Sequence, residues 1–286
     1  MSTKKKIVPY LLVSPYIIHF VIFVAFPVIF SIVLTFTNWN IIAPMKFIGL
    51  GNYTRLSHDK IFFQSLINTL LFLLIHIPLQ IIIALALAEI LYQNIKFRGF
   101  FRGAFFMPVI VSGVVVTILW QQLYGYDTGL LNRLLTFVGL GKVGWLNDPA
   151  VAMPSIAIMA TWKNLGLYVV LFLVGLQTVP AYYYEAAELE GASRWQKFYK
   201  ITLPLINPTI FMVFILSTIG GFSLFIEPYI MTGGGPLNST MSAMLYIYKQ
   251  GFFYYNMGYA ATLGLFFALI VMGVVIIQKK FIERES

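Results

Sequence analysis

Six runs of predominantly apolar residues, each long enough to cross a bilayer, set the chain's possibilities: about Pro9–Phe36, Leu66–Leu91, Phe105–Leu123, Ala152–Gln177, Leu205–Ile230 and Met257–Ile277. A hydrocarbon core about 30 Å thick takes about 20 helical residues at about 1.5 Å rise each. Within that core a segment must satisfy its own backbone N–H and C=O groups, which a helix does. The expected fold class is therefore an all-α integral membrane protein with six transmembrane helices. Pro15, Pro27, Pro78, Pro108 and Pro154 fall in or near the runs, where neighbouring helices can satisfy the carbonyls they free.

Composition agrees. Of 286 residues, 59% are hydrophobic and 10% charged, against about 45–50% and about 25% in soluble domains. The net charge of +9 would suit nucleic acid, but Lys and Arg stand at the ends of apolar runs rather than in a stripe with interleaved aromatics, so no nucleic-acid partner is expected. There is no cysteine, which excludes a disulfide framework, a thiolate metal site and a Cys nucleophile. The first run follows Lys4, Lys5 and Lys6 and outruns the roughly 7–15 residues of a signal-peptide h-region. With no small-residue cleavage site behind it, it reads as a retained span.

Six spans put both termini on one side, and basic residues say which. Lys4, Lys5, Lys6, Lys96, Arg98, Arg102, Arg194, Lys197, Lys200, Lys279, Lys280 and Arg284 fall on one side; Lys46, Arg55, Lys60, Arg133, Lys142 and Lys249 fall on the other, spread over longer loops. The first set marks the cytoplasm, so both termini are expected there in a multi-pass protein of the cell membrane. Trp39, Trp145, Tyr53, Tyr124 and Tyr126 in the outer loops suit interfacial anchoring. No repeat or soluble second domain is evident, and residues 1–286 read as one membrane domain.

Between the fourth and fifth spans, within a connection over 178–204, lies the densest polar island, "EAAELEGASRWQKFYKITLP". Pro180 suits a helix start, Ala186, Ala187, Glu188 and Leu189 are good helix formers, and the acidic residues are expected early, where the helix dipole favours them. Gly191 suits a helix stop, and Ser193 can cap a second short helix. That helix places Trp195, Phe198 and Tyr199 on one face and Arg194, Lys197 and Lys200 on the other. The expectation is a helix–turn–helix lying parallel to the membrane on the cytoplasmic surface, a docking element.

The spacing Glu185-Ala186-Ala187, Gly191, Ile201, Leu203-Pro204 resembles the EAA loop of the permeases of binding-protein-dependent ABC importers. Its surroundings, "GLQTVPAYYYEAAELEGASRWQKFYKITLPLINP", resemble the carbohydrate, maltose-transporter type with a MetI-like transmembrane domain. "FIGLGNYTRL", "FRGAFFMPVIVSGVVVTILWQQLY" and "MTGGGPLNSTMSAMLYIYKQGF" extend the likeness along most of the chain. Glu190 stands where this branch usually has Asp, a conservative departure. The resemblance implies a sugar importer, with an oligosaccharide or a related polyol phosphate as the carried solute. A second homologous permease subunit completes the pathway, two ATP-binding subunits dock below, and an external solute-binding protein delivers the carbohydrate. It implies no cofactor on this chain, ATP and Mg belonging to the partner ATPase. It also makes Glu185, Ala186, Ala187, Gly191, Ile201, Leu203 and Pro204 the ATPase-coupling residues, Glu185 pairing with a basic group of the ATPase. An interfacial hairpin that merely supports the fold is the plainer reading of the same island.

The resemblance further places solute contacts on spans four and five, at positions matching Ala160, Asn164, Leu167, Ser217, Gly220, Gly221 and Leu224. Packing is an equal use for Asn164 and Ser217 and the commoner use of the two glycines. Lys163 and Glu227 are ionisable groups in apolar runs, costly unless they meet water, a partner or an opposite charge. Both suit a cavity lining. Otherwise Lys163 snorkels and Glu227, beside Pro228, lies at the outer interface. Glu89 is expected to pair with Lys96 or Arg102. His19, His58 and His76 lack metal-ligand spacing and read as structural. "GGGPLNST" (233–240) and "GLGKV" (139–143) lack the Lys-Ser/Thr of a phosphate loop, so ATP has to be hydrolysed elsewhere.

A stand-alone secondary transporter or channel is the rival reading, which Lys163 and Glu227 would permit; it has no need of the hairpin. An intramembrane enzyme would need paired catalytic groups that the spans lack, and no catalytic residue is assigned.

Overall fold

The computed structural model describes residues 3–93 and 96–282. Arg284, and the side chains of Lys4, Lys5 and Lys6, lie outside what is described. Among the described residues, five helical segments are long and apolar enough to cross a membrane: Leu12–Leu34, Lys60–Tyr92, Pro149–Gln177, Asn207–Met231, which is interrupted after Phe222, and Met257–Lys280. A sixth candidate is a bent pair, Arg98–Ile110 and Gly113–Leu123. Lys60–Tyr92 has 33 residues, more than the about 20 that a hydrocarbon core requires, so it begins earlier than its apolar run suggested.

The third run departs from the expected continuous helix. Its halves meet at 99°. Pro108 carries no N–H to bond the preceding turn. Two residues beyond the Arg98–Ile110 helix, Ser112 is extended at ψ 128° before Gly113 opens the next helix. A second departure from an all-α reading is minor: Thr37–Asn38 pairs antiparallel with Lys46–Phe47.

The chain divides into two compact units, Met1–Phe62 with Tyr246–Ile270 and Phe63–Leu245 with Val271–Ser286. In the first, Asp59 is the organising group. Its Oδ1 accepts from the N–H of Ile61 and Phe62 at 3.1 and 3.0 Å, and its Oδ2 accepts from the hydroxyls of Tyr246 at 2.7 Å and Tyr259 at 2.5 Å. Burial alone would raise the pKa of Asp59, but these hydrogen bonds stabilise the carboxylate and bring it below its ordinary value. Arg55 lies 3.8 Å over the Tyr259 ring.

The second unit holds the polar island and the candidate solute residues. Its core joins Ala84, Leu85, Ala88 and Leu91 of one helix to Leu165, Val169, Phe172 and Leu176 of another, with Val179, Ile206 and Val213. Small residues bring helices together. A Cβ on Gly166 would collide with the Phe105 carbonyl, and one on Gly175 would stand 2.5 Å from Thr209 Oγ1. "GGGPLNST" is a braced turn: Asn68 Nδ2 donates to the carbonyls of Asn238 at 2.7 Å and Met241 at 3.0 Å, and Thr240 Oγ1 donates to Gly235 O at 2.7 Å.

Candidate coupling hairpin and span-interior ion pair

Pro180 precedes a helix over Ala181–Leu189, and Gly191 ends it at φ +76°. The Gly191 N–H donates to Glu188 O at 3.0 Å and the Ala192 N–H to Ala187 O at 2.9 Å, which satisfies two of the last carbonyls in a Schellman turn. Ser193 then caps Arg194–Lys197 reciprocally: Gln196 N–H donates to Ser193 Oγ, and Ser193 N–H donates to Gln196 Oε1 at 2.7 Å. Phe198–Thr202 continues as a π-helical turn into Leu203–Leu205. The island is thus a helix–turn–helix with most backbone groups at its corner satisfied locally.

Its acidic residues are placed later than expected. The first turn carries none, because the helix begins at Ala181 and Glu185 is its fifth residue. Glu188, in the last turn, accepts a hydrogen bond from Lys197 Nζ at 2.6 Å, tying the two short helices across the Gly191 turn. That bond and the charge of Lys197 hold the Glu188 carboxyl below its ordinary pKa.

The hairpin has a rooted side and an open side. Tyr184, Phe198, Ile201 and Leu203 pack against the core of the second unit, and the Tyr184 and Thr202 hydroxyls share a hydrogen bond at 2.9 Å. Glu185, Ala186 and Leu189 face outward, Leu189 being 92% exposed, and among the described residues no partner engages the Glu185 carboxylate. Trp195 and Tyr199 are exposed and stack at 5.9 Å. The motif residues therefore divide by role: Ile201 and Leu203 anchor, while Glu185 and Ala186 are presented.

Inside the spans, Lys163 Nζ donates to Glu227 Oε1 at 2.8 Å, with side-chain exposures of 17% and 10%. Glu227 is buried within the protein, and Lys163 meets its carboxylate. Glu89 does not pair with Lys96 or Arg102 among the described residues, and its Oε2 is buried without a hydrogen bond.

A family model described as the binding-protein-dependent transport system inner membrane component matches residues 62–285. The chain belongs to this family. It is 36% identical over 288 residues to the probable ABC transporter permease protein YurN of Bacillus subtilis (strain 168), covering 99% of this chain and 98% of that protein. It is 34% identical over 284 residues to the arabinooligosaccharides transport system permease protein AraP of the same organism, covering 96% and 88%. Its fold matches a chain of a bacterial alginate ABC transporter, solved with an alginate pentasaccharide-bound periplasmic protein, at a TM-score of 0.86 and 24% identity over 98% of this chain and 96% of that one.

In this inner membrane component the expected solute residues separate into two groups. Ala160, Ser217, Gly221 and Leu224 are buried. A Cβ on Gly221 would meet the Leu73 side chain, and the Leu224 carbonyl accepts from Ser242 Oγ at 2.6 Å. Leu167 and Gly220 are exposed and Lys163 and Asn164 partly so. Asn164 Nδ2 donates to Ala160 O at 3.0 Å, which leaves its amide oxygen available. Each histidine makes a local contact: His76 Nδ1 bonds Thr161 Oγ1 at 2.8 Å, His58 Nδ1 bonds Thr54 O at 3.0 Å, and His19 lies beside Phe23 at 5.0 Å. Sequence reasoning missed the Lys163–Glu227 contact and the brace on Asn68. A polar residue inside an apolar run was the available signal in both cases.

Proposed function

We propose that this chain is the membrane-spanning permease subunit of an ATP-driven importer of sugars, an oligosaccharide foremost, and supplies half of the translocation pathway. The observation that carries the reading is the hairpin: Glu185 and Ala186 stand open on a frame whose other side, through Ile201 and Leu203, is rooted in the span core. A short helix with small residues enters a groove closely, and an unpaired carboxylate accepts a charge-assisted hydrogen bond from a basic group of the docked subunit. Force applied at the open side reaches the spans through packed side chains.

With the bent pair taken as one span, the spans number six and both termini share the cytoplasmic face with the hairpin. The partners are a second homologous permease, two ATP-binding subunits that hold ATP and Mg, and an external binding protein that delivers the sugar. Solute contacts from this chain come from its open positions, Asn164, Leu167 and Gly220, beside the Lys163–Glu227 pair. The sugar class is taken from relatives such as AraP, whose own name specifies arabinooligosaccharides.

The test is uptake by proteoliposomes holding the full complex. Glu185→Ala should lower sugar uptake about 10- to 100-fold, as loss of one hydrogen bond to a charged group implies, with the chain still in the membrane. Uptake by this chain without any ATP-binding subunit would overturn the reading and favour a secondary carrier.

A further inference from the structure

Two interrupted spans meet at one ion pair. The third breaks at Ser112, where its halves lie at 99°, and the fifth is interrupted after Phe222 before restarting as Ile226–Met231. Lys163, on the unbroken Pro149–Gln177 helix, touches both breaks. Its Nζ donates to Glu227 Oε1 at 2.8 Å, and a Cβ on Gly113 would stand 3.0 Å from the same nitrogen. Gly113 is the first residue of its helix and Glu227 the second of its own. Gln121 Nε2 joins the two short helices further, donating to the carbonyls of Ile230 and Met231 at 3.2 Å each.

Stability does not account for such a pair, because well-packed apolar residues of similar volume hold a buried site as firmly or more so. What an ion pair adds is an all-or-none character. Closed, both charges are satisfied; separated, each is stranded in a low-dielectric interior until water or a polar solute replaces its partner. A contact with two discrete arrangements, placed where two spans are already interrupted, is suited to choosing between conformations.

We propose that Lys163 and Glu227 are positioning residues that hold the broken third and fifth spans in the resting arrangement and part when the transport pathway opens. The inference rests on the permease reading above.

The experiment uses the complete complex in liposomes, measuring sugar uptake, ATP hydrolysis with and without the binding protein, and thermal melting. Glu227→Gln should raise hydrolysis in the absence of binding protein about fivefold or more, the size of an ordinary coupling between sites, and lower the sugar moved per ATP. The charge reversal Lys163→Glu with Glu227→Lys should bring both quantities back toward the unaltered complex. Should Glu227→Gln fail to assemble, Lys163→Met with Glu227→Leu removes both charges and should melt normally yet hydrolyse ATP without the binding protein. Hydrolysis and uptake that fall in equal proportion, or that do not change in either variant, overturn the proposal. If the unaltered complex itself does not link uptake to hydrolysis, the permease reading falls and takes this inference with it. If it does and the variants are indifferent, this inference alone falls.

Discussion

Lys197 meets Glu188 at 2.6 Å across the Gly191 turn, and Lys163 meets Glu227 at 2.8 Å between two broken helices. The lengths are alike and the settings are opposite. Glu188 is 63% exposed, so water screens its contact and can replace it, whereas Glu227 is 10% exposed and has no such substitute. The hairpin keeps its shape through backbone devices, the Schellman turn and the Ser193–Gln196 box, and its ion pair is an accessory. The span interior has no comparable cap at Ser112 or Phe225 and relies on side chains. Equal geometry therefore does not mean equal energetic weight.

Substitutions can break or sharpen this contrast. Glu227→Leu leaves the Lys163 ammonium buried without a partner and should destabilise the chain by about 3–5 kcal/mol, read as a fall in melting temperature in nanodiscs. Removing both charges should return most of that loss. Gly191→Ala forces a side chain into left-handed backbone and should cost about 1–2 kcal/mol, concentrated in the hairpin and visible as faster amide exchange over residues 186–192. Ser193→Ala deletes a cap, costing about 0.5–2 kcal/mol, with faster exchange at the Gln196 amide as its mark.

The smallest effect belongs to Glu188→Gln, which should leave the melting temperature unchanged. The pH dependence has a definite sign. A carboxyl whose folded pKa lies below its unfolded value contributes stability above the unfolded value and loses it as pH falls through the folded one. Glu188 and Asp59 are both lowered, so their contributions are constant from about pH 6 to 8 and decline only under acid conditions. A hairpin that loosened between pH 8 and 6, measured by amide exchange, would contradict this.

Residues that act locally were legible in the sequence. Pro180, Gly191 and Ser193 mark helix ends by their own chemistry, and each stands at the expected corner. Apolar runs located the long helices because bilayer thickness fixes their length. The bend at Ser112 was not legible, since the apolar run passes through it and Pro108 alone is compatible with either a continuous or an interrupted helix. Nor was the partnership of Lys163 with Glu227, 64 residues apart. Each was conspicuous as a charge in an apolar run, but only the tertiary fold brings them together. Glu185 is the converse case: its spacing singled it out, and its isolation in the structure is what makes it available.

Gly166 carries a mechanical corollary. At that position the Pro149–Gln177 helix rests on the naked peptide at Phe105, with no room for even a methyl group between them. Where two backbones lie this close, lateral slippage drives a side chain into bare peptide, so the crossing at Gly166 holds its register and admits no larger residue.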